Sequence, residues 1–308
     1  MPAAAGSSRS NHLWDGAVWA LIAYSLIAIA LDLPLVPVVV AAVLFWLGSS
    51  RTVVAERCRR VRRWRDVSFM AGLSVIALAL SSPIDQFSGQ LFWVHMVQHV
   101  LLLTVAAPLI MLGQPWVRLW RALPLGFRRS LARAFMQRRW GIALRRAATA
   151  LGQPLPSFIA FSGVLLIWHV PVLFDATLTS APLHVLEHAL FFTTALMFWK
   201  QVISSRPLKS QLSAVGRVGY LTAAMVVSWL LAVVLALAPH ALYAPYADEL
   251  SRPGGISALS DQQIAAGVMW VPGSIGFTIA FFFCFQAWLA PVGSPRLPAK
   301  QVGLATDH

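Results

Sequence analysis

The chain is short of charge, of acidic residues and of cysteine. Only 11% of its 308 residues are charged, where a soluble domain carries about 25%. That shortage, with 58% hydrophobic residues and a mean hydropathy of +0.70, excludes an ordinary soluble globule. The 11 Asp and Glu stand against 24 Lys and Arg, a formal net charge of +13. In a soluble chain such an excess would point to nucleic acid; here membrane topology explains it, and no nucleic-acid partner is expected. The two cysteines, Cys58 and Cys284, fall in segments assigned to the reducing side of the membrane, so a disulfide framework is excluded, and no CxxC motif is present. Any metal must be held by other side chains. Internal repeats, low-complexity tracts and a soluble domain are also missing.

What is there is a series of apolar runs, each about 20 residues long or close to it. They fall at about 17–31, 34–49, 67–83, 91–113, 157–178, 182–203, 216–238 and 262–290. The expected fold is all-α: one polytopic membrane bundle over 1–308 with about eight transmembrane helices, seven at the least. An even count puts both termini on one face. In that frame 23 of the 24 basic residues fall on the cytoplasmic side and only Arg252 on the other, as positive charge does in membrane proteins. Residues 1–16 and 291–308 are then cytoplasmic tails, and the expected location is a bacterial inner membrane. The first two runs, separated by Asp32-Leu33-Pro34, read as an uncleaved hairpin, although Ala28-Ile29-Ala30 resembles a signal-peptidase site.

The cytoplasmic segment 114–153 is basic and amphipathic. Trp116, Leu119, Trp120 and Leu123 share one helical face, Pro124 and Gly126 end that helix, and a second stretch from Arg128 to Leu151 carries Arg133, Arg138, Arg139, Arg145 and Arg146. Anionic membrane lipid is the expected partner.

The histidines are distributed unevenly. His12 and His308 lie in the tails; the other six map to the outer third of the membrane or the outer loops. His95 and His99, at i and i+4, share a helix face, as do His184 and His188. His169 adds a fifth ring just before Pro171. With about 1.5 Å of rise per residue, the five rings fall within about 15 Å of the outer surface. Ionisable groups inside spans are costly and tend to face a cavity or a functional path. A metal site is therefore expected from His95, His99, His169, His184 and His188, with a proton or hydrogen-bond network as the competing reading.

Imidazole suits zinc and copper, and thioether sulfur favours Cu(I), so Met96 and Met269 tilt the choice to copper. Asp85, Asp175, Glu187 and Asp261 are further ligands or groups that orient the imidazoles. His184-Val185-Leu186-Glu187-His188 also fits the H-x-x-E-H pattern of zinc peptidases, with Glu187 as general base. Bis-histidine haem ligation is a further option, for one haem at most. In the last run Pro272, Gly273 and Gly276 read as close helix packing rather than a hinge, and Trp93, Trp168 and Trp270 as interfacial belt residues.

The sequence resembles the CtaG family of cytochrome c oxidase assembly factors, in its polytopic caa-type group. The resemblance rests on Ser82-Pro83-Ile84-Asp85, His95-Met96-Val97-Gln98-His99, Ala107-Pro108 with Gly113-Gln114-Pro115, Trp168-His169-Val170-Pro171, His184 to His188, and Asp261-Gln262-Gln263 with Met269-Trp270-Val271-Pro272, across roughly residues 35–290. It implies an inner-membrane factor needed to make an active haem-copper oxidase by handling copper for an oxidase copper centre, with oxidase subunits as partners; a periplasmic copper chaperone is a further candidate partner. The reading reached is a non-enzymatic bundle that binds copper at the outer histidines and passes it on. A membrane zinc hydrolase and a copper transporter are the alternatives.

Overall fold

The computed structural model describes residues 35–50, 59–81, 83–249 and 252–289. The first apolar run, the possible cleavage site, Cys58, both tails and the proposed hairpin turn lie outside them. Every regular element among the described residues is helical. In chain order they are α1 (Leu35–Ser50), α2 (Arg59–Ser81), α3 (Pro83–Ser88), α4 (Phe92–Val100), a π-helical segment (Leu101–Ala106), α5 (Ala107–Gly113), α6 (Trp116–Ala122), α7 (Leu125–Gln137), α8 (Arg139–Leu151), α9 (Pro154–Trp168), α10 (Pro171–Thr179), α11 (Ala181–Val202), α12 (Ala214–Leu237), α13 (Ala244–Ala247) and α14 (Ala258–Leu289), with a short 3-10 turn at Pro253–Gly255.

Five helical stretches are long and apolar enough to cross a membrane: α2, the run Phe92–Gly113, α11, α12 and α14. A sixth arises if α8 and α9, bent by 84° at their junction, form one broken span. The exposed faces of these helices carry Leu230, Val234, Val271 and Phe283, as lipid-facing surfaces do. The chain is thus a multi-pass helical membrane protein. The expected count of eight is not reached among the described residues: 17–31 lies outside them and α1 is a shorter apolar helix.

The expected span 157–178 is interrupted. Proline disfavours helical backbone at the residue before it and offers no N–H; accordingly Val170, before Pro171, is extended at φ −68° and ψ 124°. α9 therefore stops at Trp168, and His169 sits on the break as its C-cap. Trp168 is buried, not interfacial, while Trp270 is exposed as a belt residue would be. The basic segment also differs from a single long amphipathic helix. It breaks at Arg138, and α7 and α8 turn back on each other because Gly141 meets the backbone of Ala134 and Phe135, where any Cβ would collide.

The π segment has a visible cause. The Ala107 amide reaches back five residues to the Leu102 carbonyl, so the next residue would serve Leu103. That residue is Pro108, which has no amide hydrogen. The orphaned Leu103 carbonyl instead accepts the indole N–H of Trp199 from α11 at 2.7 Å. Beside it the carbonyl of Thr104 touches Gly276 of α14, and a side chain at 276 would strike that oxygen. Gly276 thus serves close packing. Two clusters of buried side chains result: a large one joining α4, α9, α11, α12 and α14, and a smaller one of Phe45, Phe69, Leu73 and Ile110 joining α1, α2 and α5.

Candidate metal centre

The histidine end of the bundle is assembled from three elements. α4 supplies His95 and His99, α11 supplies His184, Glu187 and His188, and the loop around α13 covers them. The start of α4 is fixed from α14: the Asp261 carboxylate accepts the amides of Phe92 and Trp93 at 3.0 and 2.9 Å, and Arg252 lies 3.8 Å from the same carboxylate. Asp261 is therefore placed as a helix cap, away from the imidazoles. Asp85 accepts from the Gln98 amide at 2.9 Å, and the same amide donates to the Ala79 carbonyl, which ties α3, α2 and α4 together. Asp175, on α10, takes the backbone amide of Ala244.

Four residues converge. One donor atom each from His95, His184, Glu187 and His188 lies within 4.8 Å of all the others. A tetrahedral shell with bonds of about 2.0 Å separates its donors by about 3.3 Å, so modest side-chain rotation closes this group on one ion. The ring centroids of His95 lie 5.5 Å from His184 and 6.1 Å from His188, and His184 and His188 are 4.2 Å apart. Glu187 is fully buried. The Thr177 hydroxyl, which donates to the Phe174 carbonyl at 2.7 Å, approaches its carboxylate, and the two oxygens lie 3.9 Å from His95 Nε2 and 3.7 Å from His99 Nε2. His188 Nε2 has no hydrogen-bond partner. Native interiors rarely leave such groups unmatched, because each unpaired polar atom carries its full desolvation penalty. The set fits a cation bound by imidazole and carboxylate. A cavity of about 360 Å³, lined by Phe69, Leu73, Asp85, His184 and His188 among others, opens onto one side of the group.

The hydrogen bonds around His95 set its tautomer. Burial holds the Tyr246 phenol well above its ordinary value, so Tyr246 stays protonated, and its hydroxyl donates to the Ser88 carbonyl at 2.5 Å. With that hydrogen committed, the contact of 3.1 Å between Tyr246 Oη and His95 Nδ1 requires Nδ1–H as donor. A neutral His95 then presents a lone pair at Nε2, on the side of the four-residue group. His99 Nε2 lies 3.0 Å from it and donates to that lone pair, so an ion bound at His95 Nε2 displaces this hydrogen bond. This is the arrangement in which an outer hydrogen bond orients a metal-ligating imidazole.

The five histidines do not form one ring of ligands. His95, His184 and His188 meet with Glu187, and His99 adjoins them through His95. His169 lies beyond His99, beside Met96 and Met269, around a different and smaller cavity. Tyr246 and Tyr243, whose hydroxyl donates to the His169 carbonyl at 3.1 Å, were not singled out by sequence reasoning. The available signal was composition: the chain has only 4 tyrosines, and two of them fall in this one outer loop. Phe92, Phe174, Tyr243 and Tyr246 pack edge to face and tilted over the group, closing it from above.

Among known proteins, this chain is 25% identical over 235 residues to the uncharacterized protein Mb0105 of Mycobacterium bovis and to MT0111 of Mycobacterium tuberculosis, covering 75% of this chain and 35% of each of theirs. It is 25% identical over 241 residues to the uncharacterized protein ML1998 of Mycobacterium leprae, covering 74% of this chain and 36% of the relative. The chain thus spans about a third of the length of the curated relatives it matches. No solved structure matches it. The family of cytochrome c oxidase caa3 assembly factors (Caa3_CtaG) matches residues 41–290, which contain every residue of the converging group. The chain belongs to the cytochrome c oxidase caa3 assembly factor family.

Proposed function

We propose that this assembly factor binds copper at His95, His184, Glu187 and His188 and delivers it to a haem-copper oxidase subunit. In this reading the chain sits in a bacterial inner membrane with both termini cytoplasmic, the site faces outward, and a periplasmic chaperone supplies the metal. The role is carriage, not catalysis. The observation that carries it is the buried Glu187 carboxylate, paired with no lysine or arginine among the described residues and grouped with three imidazoles on two helices. A group that must both take up and release an ion needs an open side, and the cavity of about 360 Å³ beside His184 and His188 supplies one. Transport across the bundle is disfavoured by the opposite end. The groove of about 810 Å³ between the other halves of α4, α11, α12 and α14 is lined almost wholly by apolar side chains, and its one cation is Arg217.

The test is elemental analysis of tag-free protein purified without chelators, with Cu(I) titration under reducing conditions. Loss of one tight equivalent in both His95→Ala and His184→Ala, with helical content unchanged, is expected. Unchanged copper binding in both variants would overturn the reading. Zinc at one per chain with little Cu(I) uptake would overturn it in favour of a hydrolase, in which Glu187→Gln abolishes turnover while zinc remains bound.

A further inference from the structure

Two donors at the histidine end point away from the group just described. His169 Nδ1 contacts the Leu165 carbonyl at 2.7 Å, which can only accept, so Nδ1 carries the hydrogen and Nε2 a lone pair. His169 is 6% exposed and that Nε2 has no partner. His99 is 3% exposed, and its tautomer follows from the chain of hydrogen bonds that begins at Tyr246. The His95 Nε2 lone pair takes the hydrogen of His99 Nε2, which leaves the lone pair of His99 on Nδ1, also without a partner. Both rings line one cavity of about 40 Å³, and Met96 and Met269, 1% and 5% exposed, line it too. A space of that size admits a single ion or a water.

We propose that the cavity between Met96, His99, His169 and Met269 is a second metal site, of two imidazoles and two thioethers, selective for Cu(I). The donor set is soft and neutral, which suits Cu(I). No carboxylate lines the cavity; its other polar groups are the hydroxyls of Thr104 and Ser228. Without a counter-charge, a divalent ion would meet a far larger desolvation penalty there than a monovalent one. Zinc and Cu(II) are therefore disfavoured in this cavity, whereas Glu187 suits the first group to either charge.

The His99 ring is shared. A neutral imidazole has one lone pair, so His99 serves the small cavity through Nδ1 only while Nε2 donates its hydrogen toward His95 or Glu187. A shift of that hydrogen to Nδ1 withdraws His99 from the small cavity and turns its lone pair to the first group. The two sites are thus coupled through one ring, and copper passes between them with no change of oxidation state.

The inference rests on the reading that this end of the bundle handles copper, and the experiment separates the two claims. Full-length, tag-free protein in detergent is titrated with Cu(I) under reductant, and its copper X-ray absorption is recorded at saturation. Two equivalents are expected, with sulfur as well as nitrogen scatterers. In the double variant Met96→Leu with Met269→Leu, whose side-chain volumes are nearly conserved, one equivalent and the sulfur scattering are lost together. In His184→Ala the sulfur-bound equivalent persists. Nitrogen and oxygen scattering alone in the wild-type protein overturns the second site, whatever the variants do, and leaves the first group standing. A sulfur-bound equivalent alone, insensitive to His184→Ala, overturns copper binding at the first group and leaves this inference standing.

Discussion

The two ends of the bundle bury polar side chains in opposite ways. At the end rich in arginine, buried polar groups join segments. Lys200 Nζ and Gln201 Nε2 both donate to the Gly152 carbonyl, at 2.6 and 2.7 Å, holding α11 to the turn between α8 and α9. Arg118 pairs with Asp66 and lies over the Phe45 ring, holding α6 to α2 and α1. Trp116 reaches Ser205 at 2.9 Å. The atoms left over there, such as Gln201 Oε1, Tyr220 Oη and Arg128 Nε, lie singly on separate helices. At the histidine end the leftover atoms gather at two neighbouring places: Glu187 with His188 Nε2 in the four-residue group, and His99 Nδ1 with His169 Nε2 on the small cavity. The contrast teaches that burial of a polar residue in a membrane bundle is not by itself a functional sign; lone-pair donors gathered in a small volume, as happens in two neighbouring places at the histidine end, are.

The largest effect expected from this contrast is on stability with and without metal. Cu(I) at about 1,000 times its Kd stabilises a folded chain by about 4 kcal/mol if only the folded state binds it. Thermal unfolding in detergent should therefore rise strongly with Cu(I) in the wild-type protein and much less in Glu187→Gln. Without metal, Glu187→Gln should unfold no earlier than the wild type, because the amide keeps the shape of the side chain and brings no charge into the buried site. Equal Cu(I) shifts in the two proteins would break the comparison. At the other end, Lys200→Met should lower stability while leaving the Cu(I) shift intact.

Next in size is the contact at the centre. Gly276→Val places a branched side chain against the Thr104 carbonyl, and overpacking of this kind costs about 1–3 kcal/mol. Unfolding should come earlier with copper stoichiometry unchanged. If copper were lost as well, the two ends would not be as separable as their hydrogen bonding implies.

Much of this was legible in the sequence, and what was not has physical reasons. Apolar run length fixed most spans, and helical spacing put His95 with His99 and His184 with His188 at one depth. Depth does not give rotation about the helix axis. For that reason five histidines at similar height read as one cluster, whereas in the structure His169 lies on the far side of His99. The break at Val170 was visible in Pro171 but was read through, since a hydropathy run does not register one missing amide. The π segment depends on Pro108 and on a tryptophan 91 residues later in the chain, Trp199, so no local pattern announces it. Asp261 looked like a ligand because acid beside histidine is common at metal sites; its role as the cap of α4 follows only from a contact 169 residues apart.

A smaller effect should follow from Tyr246→Phe, which removes the oxygen that holds His95 Nδ1 and the hydrogen that satisfies Ser88. Loss of such an outer hydrogen bond typically weakens metal affinity about 10–100-fold. Competition with a Cu(I) chelator should show weaker binding with stoichiometry retained. A Tyr246→Phe protein with wild-type affinity would mean that the His95 tautomer is set by something other than this chain of bonds.

The smallest expected effect sharpens the comparison from the arginine side. Trp199→Phe keeps an aromatic ring stacked near Phe277, 5.4 Å away in the present structure, but removes the indole N–H from the Leu103 carbonyl. Pro108 already denies that carbonyl its helical donor, so the substitution leaves it unmatched in an apolar surrounding. Such an orphan costs about 1–3 kcal/mol, less if the π segment relaxes toward α geometry and gives the carbonyl a new neighbour. Unfolding should shift modestly, and hydrogen exchange at the amides of 101–107 should accelerate more than elsewhere in the span. Copper affinity should not change, because Trp199 touches neither His99 nor the cavity beyond it. If affinity did fall, the π segment would be transmitting a rotation of α4 to the His95 and His99 face, and the two ends of the bundle would be one mechanical unit.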